Sequence, residues 1–318
     1  MTRFIHCVTI DNGIFLVEIN PPKNEIQAKE KTVTLMEIRK VGVVGCGQMG
    51  GGITQVCAQA GYTVVVSEIS NELLKKGLAA IESSLDRSVQ KERITRQDRD
   101  ATLARIRGTT DTRDFGECDL VIEAATENLD LKKKIFGEVD RVCPERTILA
   151  TNTSCLSITD MAAVTGRPDR VLGMHFFNPV PVMKLLEIIR TAATSEETLE
   201  AGRDFGQTLG KTFVIVQDSP GFIVNRLITP QILNAIRMVE SGIATAKDID
   251  TAMALGLNYP MGPLSLADLI GLDTFLFIAN GIYDKLHDEQ YAAPALLKKM
   301  VAAGQLGRKT GKGFYEYK

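Results

Sequence analysis

The chain has 318 residues, 44% hydrophobic and 24% charged, with 37 lysines and arginines against 39 acids for a net charge of −2. That length exceeds one ordinary hydrophobic core and predicts about two domains. The charge balance excludes a general attraction to nucleic acid or to an anionic membrane. The six cysteines, Cys7, Cys46, Cys57, Cys118, Cys143 and Cys155, show no CxxC spacing and lie mostly in apolar runs. They read as reduced thiols rather than a disulfide frame or a zinc site, and no metal is expected. No stretch approaches the ~18 apolar residues of a membrane span and no signal-peptide pattern opens the chain, so the expected location is cytoplasmic.

In chain order, the first segment stands apart. Ile5 to Ile10 and Ile14 to Ile19 are short apolar or alternating runs joined at Asp11-Asn12-Gly13, a hairpin signal because Asn-Gly tolerates positive φ. Pro21-Pro22 stops the second run, and Met36 directly precedes Glu37-Ile38-Arg39-Lys40-Val41, which could itself begin a protein. Residues 1–37 are therefore expected to be a dispensable extension, or the product of a start site assigned too early. From Lys40, strands and helices alternate. Strands are expected at Val41–Val44, Thr63–Ser67, Asp119–Ala124, Ile148–Thr151, Val171–His175, Leu185–Ile189 and Phe213–Val216, with helices at 48–60 and 71–91 and between most of the later strands. This alternation predicts an α/β domain at 38–216 around a mainly parallel sheet with right-handed crossovers. After Pro220-Gly221-Phe222 only helical patterns remain, at 222–241, 246–255, 262–281 and 291–303, which predicts a smaller all-α domain at 217–318.

Gly45-Cys46-Gly47-Gln48-Met49-Gly50 fits G-x-G-x-x-G directly after a strand and at the start of a helix. The first glycine permits the tight turn, the second lets the backbone approach a pyrophosphate, and the third lets helix pack on strand. The helix N-terminus then offers N–H groups to the phosphates. Gly45, Gly47, Gln48, Met49 and Gly50 are thus candidate cofactor contacts in a Rossmann-type domain. Glu68 closes the second strand about 20 residues further on, where a carboxylate accepts from the adenosine ribose hydroxyls and repels a 2′-phosphate. NAD is expected, with NADP the alternative; Lys75 and Lys76 lie too far along the helix to favour NADP.

Glu127, Asn128 and Lys132 follow the strand ending at Ala124, on the sheet edge where ligands sit in open α/β folds. By themselves they would read as ordinary helix-start residues. Thr151-Asn152-Thr153-Ser154 closes the next strand, either as a turn with an N-cap or as donors for a substrate oxygen. Of the three histidines, His6, His175 and His287, only His175 closes an apolar run, enters the turn Phe176-Phe177-Asn178-Pro179-Val180-Pro181, and has a carboxylate, Glu187, on the next apolar segment. Histidine suits acid/base work near neutral pH, and a buried carboxylate fixes its tautomer and favours its protonated form. Alone, such a pair is a structural contact as readily as a catalytic dyad. Phe176 and Phe177 read as core and wall, His6 and His287 as surface or packing residues. Phe222, Ile223, Val224 and Leu227 form a helix stripe expected to pack the second domain or a dimer interface.

These motifs come in an order that resembles the 3-hydroxyacyl-CoA dehydrogenase family, near its bacterial 3-hydroxybutyryl-CoA members, over residues 38–318. The matching words continue through Glu123-Ala124-Ala125-Thr126-Glu127-Asn128, Pro220-Gly221-Phe222-Ile223-Val224-Asn225-Arg226, Tyr259-Pro260-Met261-Gly262-Pro263 and Gly307-Arg308-Lys309-Thr310-Gly311-Lys312-Gly313. The first 35 residues, in turn, are similar to the opening hairpin of the enoyl-CoA hydratase family. The dehydrogenase resemblance implies that His175 is the base for the 3-hydroxyl proton and Glu187 its partner. Ser154 and Asn225, with Asn178 beside them, would hold the substrate oxygens. Glu68, Glu127, Lys132, Asn152 and Lys309 would serve the cofactor, and Ser84 with Lys91 would lie near the CoA nucleotide. The family departs here at Cys155, often a second serine, and at Gly51, an added small residue in the loop.

The function expected is hydride transfer between NAD(H) and a short-chain (S)-3-hydroxyacyl-CoA, most simply 3-hydroxybutyryl-CoA and acetoacetyl-CoA, in a homodimer joined through the helical domain. A dehydrogenase of a free hydroxy acid of the gulonate type is the alternative. A non-catalytic nucleotide-binding protein on the same fold would predict a broken dyad, and His175, Glu187, Ser154 and Asn225 are all present.

Overall fold

The computed structural model describes residues 37–317 in full and the backbone of residues 5–10 and 13–18. The chain divides into two units, residues 1–34 and 35–318. In the first, β1 (Ile5–Ile10) and β2 (Gly13–Glu18) pair antiparallel with Ile10 opposite Gly13. This is the expected hairpin; the side chains of His6 and Cys7 and the 21–35 stretch lie outside the described residues.

The second unit runs β3 (Lys40–Val44), α1 (Gln48–Gln59), β4 (Thr63–Ser67), α2 (Asn71–Gln90), α3 (Arg96–Ala104), β5 (Ile106–Thr109), β6 (Leu120–Glu123), α4 (Leu129–Val142), β7 (Ile148–Thr151), α5 (Ile158–Ala162), β8 (Val171–Phe176), β9 (Leu185–Arg190), α6 (Glu196–Thr208) and β10 (Thr212–Gln217). Then come α7 (Val224–Glu240), α8 (Ala246–Gly256), α9 (Pro263–Ile270), α10 (Leu272–Leu286) and α11 (Ala295–Ala302). The eight strands order as β10-β9-β8-β7-β6-β3-β4-β5, all parallel except the β8–β9 pair. Helices cover both faces, which is why the strands read as continuous apolar runs. Alternate residues serve opposite cores: Val64, Val66, Leu120 and Ile122 pack on one face, Val65 and Val121 on the other.

Strand order reverses at β3, which has β4 on one side and β6 on the other. The crevice outside the carboxyl ends at such a switch point is where open α/β sheets bind ligands. The one antiparallel pair of this eight-stranded sheet arises because only residues 177–184 join β8 to β9, too few for the dozen or more that a parallel crossover needs. That hairpin places His175 directly opposite Glu187.

Two expectations change in detail. The single helix expected at 262–281 is two, α9 and α10, bent by 99° at Gly271, which holds φ +96°. A strand, β5, and a helix, α3, occupy a stretch that the apolar pattern did not resolve; α3, Arg-Gln-Asp-Arg-Asp-Ala-Thr-Leu-Ala, is too polar to show an apolar stripe, Thr102 being its buried residue. Among the described residues, no single helix is long and apolar enough to cross a membrane. In α7, Pro230 removes the N–H that would bond the Arg226 carbonyl, and Tyr291 Oη donates to that oxygen instead at 3.3 Å.

Candidate active site

The glycine loop follows β3 and shapes itself around close backbone approaches. Gly45 has φ +95°, and a Cβ there would meet the Ala124 carbonyl at 2.9 Å; a Cβ on Gly50 would stand 1.9 Å from the Gly45 oxygen. Gly47, by contrast, has nothing within 4 Å of where its Cβ would be. Gly45 and Gly50 are therefore demanded by packing, and Gly47 opens space. Helices α2, α3, α4, α5, α6 and α8 each begin with a Ser, Thr or Asn side chain that caps the first turn. Helix α1 has no side-chain cap and no acid in its first turn. Its N-terminus is left for an anion.

A cleft of 570 Å³ lies beside this loop, walled by Gly45, Gly47, Glu68, Ile69, Leu73 and Lys134 among others. Ile69 is 90% exposed there, an apolar side chain offered to solvent. Glu68 accepts from the Cys46 N–H at 2.8 Å and from the Ile69 N–H at 3.1 Å, so its carboxylate is fixed at the mouth of the loop. An open Gly47, a bare helix N-terminus and an acid at the second strand's end fit an adenine dinucleotide. The Cys46 thiol is no nucleophile here: burial, with the Glu68 charge, pushes it up to about 11.

The ends of β6 and β7 carry a buried polar cluster. Glu123 accepts from Lys132 Nζ at 2.7 and 2.9 Å, from the Ala125 N–H at 2.7 Å and from Thr151 Oγ1 at 2.6 Å. Lys132 also pairs with Glu127 at 3.1 Å. Glu127 in turn accepts from Thr153 Oγ1 at 2.6 Å and the Ser154 N–H at 2.7 Å. Lys132 is thus 1% exposed and lies beneath the cleft rather than on its wall. Asn152 Oδ1 accepts from the Phe176 N–H at 2.9 Å, which ties this turn to the strand that carries His175. Asn128 caps α4 through the Leu131 N–H, a structural duty.

His175 Nδ1 lies 2.6 Å from Glu187 Oε2, both side chains buried. The second Glu187 oxygen accepts from the N–H groups of Ile223 (3.1 Å) and Val224 (3.0 Å) at the start of α7, whose own N-cap supplies no side-chain bond. Burial alone pushes the Glu187 carboxyl up. The bonds from His175, Val224 and Ile223 outweigh it and hold the group below its ordinary value. The imidazole is boxed by Phe177, with ring centroids 4.6 Å apart, and by Phe222 at 5.6 Å. Among the described residues, His175 Nε2 and Ser154 Oγ have no hydrogen-bond partner. Asn225, one position into α7, donates from Nδ2 to the Ser154 carbonyl at 3.4 Å. Four elements thus converge: β8, β9, the turn after β7, and the start of α7.

Ser84 and Lys91 face a second cleft of 370 Å³ with Arg87, Arg93, Pro179 and Pro181. Asn178, exposed, begins the loop that walls this cleft, and Lys211 Nζ fastens that loop by donating to the carbonyls of Val180 (2.6 Å) and Met183 (2.7 Å). Lys309 pairs with Asp273 at 2.6 Å beside the α9–α10 bend. Sequence reading passed over Glu123, Lys134, Arg87 and Arg93. The Lys132-Lys133-Lys134 run and the cationic face of α2 were the available signals; Glu123 had none, because an acid at the end of an apolar strand looks like the strand's boundary. The helix stripe divides: Phe222 is buried in the sheet-side core, while Leu227 is 70% exposed. His287 is the exposed left-handed cap of α10, its ring against Tyr283.

A switch-point cleft with a bare helix N-terminus, joined to a buried His–Glu pair and a helical region, defines a dinucleotide-dependent oxidoreductase class. Residues 40–219 match the model of the 3-hydroxyacyl-CoA dehydrogenase NAD binding domain, and residues 221–317 that of the 3-hydroxyacyl-CoA dehydrogenase C-terminal domain. A 3-hydroxybutyryl-CoA dehydrogenase of Mycobacterium tuberculosis is 48% identical over 282 residues, 88% of this chain and 99% of that protein. The mitochondrial hydroxyacyl-coenzyme A dehydrogenase of Sus scrofa is 45% identical over 289 residues, 88% of this chain and 92% of its own. The crystal structure of (S)-3-hydroxybutyryl-CoA dehydrogenase from Ralstonia eutropha superposes with a TM-score of 0.85 at 50% identity, covering 89% of this chain and all of that one (100%). The chain belongs to the 3-hydroxyacyl-CoA dehydrogenase family, oxidoreductases that act on CH–OH donors, and it carries that family's NAD-binding domain.

Proposed function

We propose that this chain interconverts (S)-3-hydroxybutyryl-CoA and acetoacetyl-CoA with NAD(H), using His175 and Glu187 as an acid/base dyad. The observation that carries the reading is the 2.6 Å contact of His175 Nδ1 with Glu187, which leaves Nε2 unpartnered. With Nδ1–H donated to the carboxylate, Nε2 holds the lone pair that takes the 3-hydroxyl proton. Glu187 then stabilises the imidazolium, and in reduction Nε2 returns the proton to the developing alkoxide. Positioned proton transfer of this kind contributes about 10²–10⁴-fold. Ser154 Oγ and Asn225 orient the substrate oxygens, and Phe177 and Phe222 exclude water from the imidazole. Bound NAD would supply the acceptor for the hydride from C3. Gly45, Gly47, Gln48, Met49, Gly50 and Glu68 would hold it, with Lys309 and Glu127 as further candidate contacts.

The cationic cleft of Ser84, Arg87, Lys91 and Arg93 supports a CoA thioester over a free acid, because three positive side chains suit a nucleotide's phosphates. We place the working boundaries at 38–216 and 217–318, with residues 1–37 dispensable and the cytoplasm as location. The exposed Leu227, Leu255 (82%) and Leu257 (59%) support a homodimer through the helical region, to be checked by sedimentation. NADH oxidation with acetoacetyl-CoA tests the activity directly. Turnover of a free hydroxy acid such as gulonate, with none of the CoA thioester, would overturn it.

A further inference from the structure

Glu123 ends β6 at 2% exposure and has no part in the chemistry proposed above. Its carboxylate nonetheless reaches both ends of the turn that carries Ser154. Thr151 Oγ1 donates to it directly at 2.6 Å, and the Thr153 N–H donates back to Thr151 Oγ1 at 3.2 Å. The other route runs through Lys132 Nζ, 2.7 Å from Glu123 and 3.1 Å from Glu127, and on from Glu127 to Thr153 Oγ1 and the Ser154 N–H. The Ser154 main chain is thereby held at its N–H by Glu127 (2.7 Å) and at its carbonyl by Asn225 (3.4 Å), while its hydroxyl stays free.

Stability is a poor reason for such a cluster. Two carboxylates share one buried ammonium, and the desolvation of buried ions commonly exceeds what their attraction returns. What the cluster does supply is geometry, because it couples β6, α4 and the turn after β7 through short charge-assisted bonds. We propose that Glu123 is a positioning residue for the reaction. Through Thr151, and through Lys132 and Glu127, it sets where Ser154 presents its hydroxyl to the substrate oxygen. Lys132 acts here as the bridge between two acids rather than as a surface cation.

The proposal rests on the dehydrogenase reading, and the test separates the two. Glu123→Gln keeps the shape but leaves Lys132 to Glu127 alone, which draws Glu127 away from Ser154. With acetoacetyl-CoA and NADH, kcat counted per NADH-binding site should fall about 10²-fold, the cost of a displacement near 1 Å at a reacting centre. NADH affinity, read by fluorescence titration, should stay unchanged. Should the buried lone ammonium prevent folding, Glu123→Gln with Lys132→Met removes both charges together, and it should fold yet keep the kcat defect. A wild-type kcat per site in either soluble variant overturns the proposal, since a pair that served only stability would be restored by the double change. A wild-type enzyme inactive on acetoacetyl-CoA overturns the dehydrogenase reading and this proposal with it.

Discussion

Helices α7 and α9 both begin without a side-chain cap of their own, and each receives a buried carboxylate from another element. Glu187 on β9 accepts from the first N–H groups of α7, and Asp250 on α8 accepts from the Leu264 and Ser265 N–H groups of α9 at 2.8 and 2.9 Å. Both exploit the partial positive charge of a helix N-terminus. They differ in what the remaining capacity holds. Asp250 spends it on the hydroxyls of Ser265 (2.6 Å) and Tyr315 (2.8 Å), neither of which carries charge at neutral pH, so the acid fastens the C-terminal segment to the helices. Glu187 turns Oε2, the oxygen that α7 does not use, to His175, a group that can gain a proton. One capping device therefore makes a structural pin in one place and, on the proposed function, supports an acid/base histidine in the other, according to whether the partner can titrate.

Breaking the titrating partner should have the largest effect. His175→Ala should lower kcat by about 10²–10⁴-fold while NADH still binds, checked by steady-state rates beside fluorescence titration. Glu187→Gln should follow, with a loss on the order of 10–100-fold. It should also show a pH signature in stability. A carboxyl held below its ordinary value when folded contributes stability that is present above the unfolded value and lost as pH falls through the folded one. The stability gap between wild type and Glu187→Gln, measured by urea titration, should be full at neutral pH and close in acid. A gap that does not vary with pH would make Glu187 the same kind of pin as Asp250.

Glu68→Ala is expected to weaken NADH binding about tenfold, the worth of one charge-assisted bond, and to narrow the margin over NADPH; a wild type that prefers NADPH would contradict the role given to this acid. Asp250→Asn should have the least effect on turnover. It should cost about 1–3 kcal/mol of stability with kcat unchanged, read by thermal melting and steady-state assay. A kcat loss there would end the contrast between the two caps.

Much of this was legible from residue order. The glycine loop could be read because its duties are local: Gly45 and Gly50 answer to backbone atoms a few residues away or on the adjacent strand. The strands β3, β4, β6 and β7 could be read because burial on both faces makes their interiors near-continuous apolar runs, with polar residues kept to the ends. His175 and Glu187 could be paired on paper because one turn separates them. Glu123 could not, since its partners Lys132, Thr151 and Ala125 come from a helix, a neighbouring strand and a loop. Nor could the α9–α10 bend, because both helices share an apolar pattern and only the positive φ at Gly271 divides them.

By itself, then, the sequence determined the alternating α/β order, the glycine loop and the candidate pairing of His175 with Glu187, because each depends on periodicity or on contacts close along the chain. The tertiary structure alone decided that β8 and β9 run antiparallel with His175 facing Glu187, that α7 lends its N-terminus to that acid, and that Lys132 lies between two carboxylates instead of facing solvent. Those outcomes depend on which distant groups share a buried space, where an unpaired charge or N–H is too costly to leave alone.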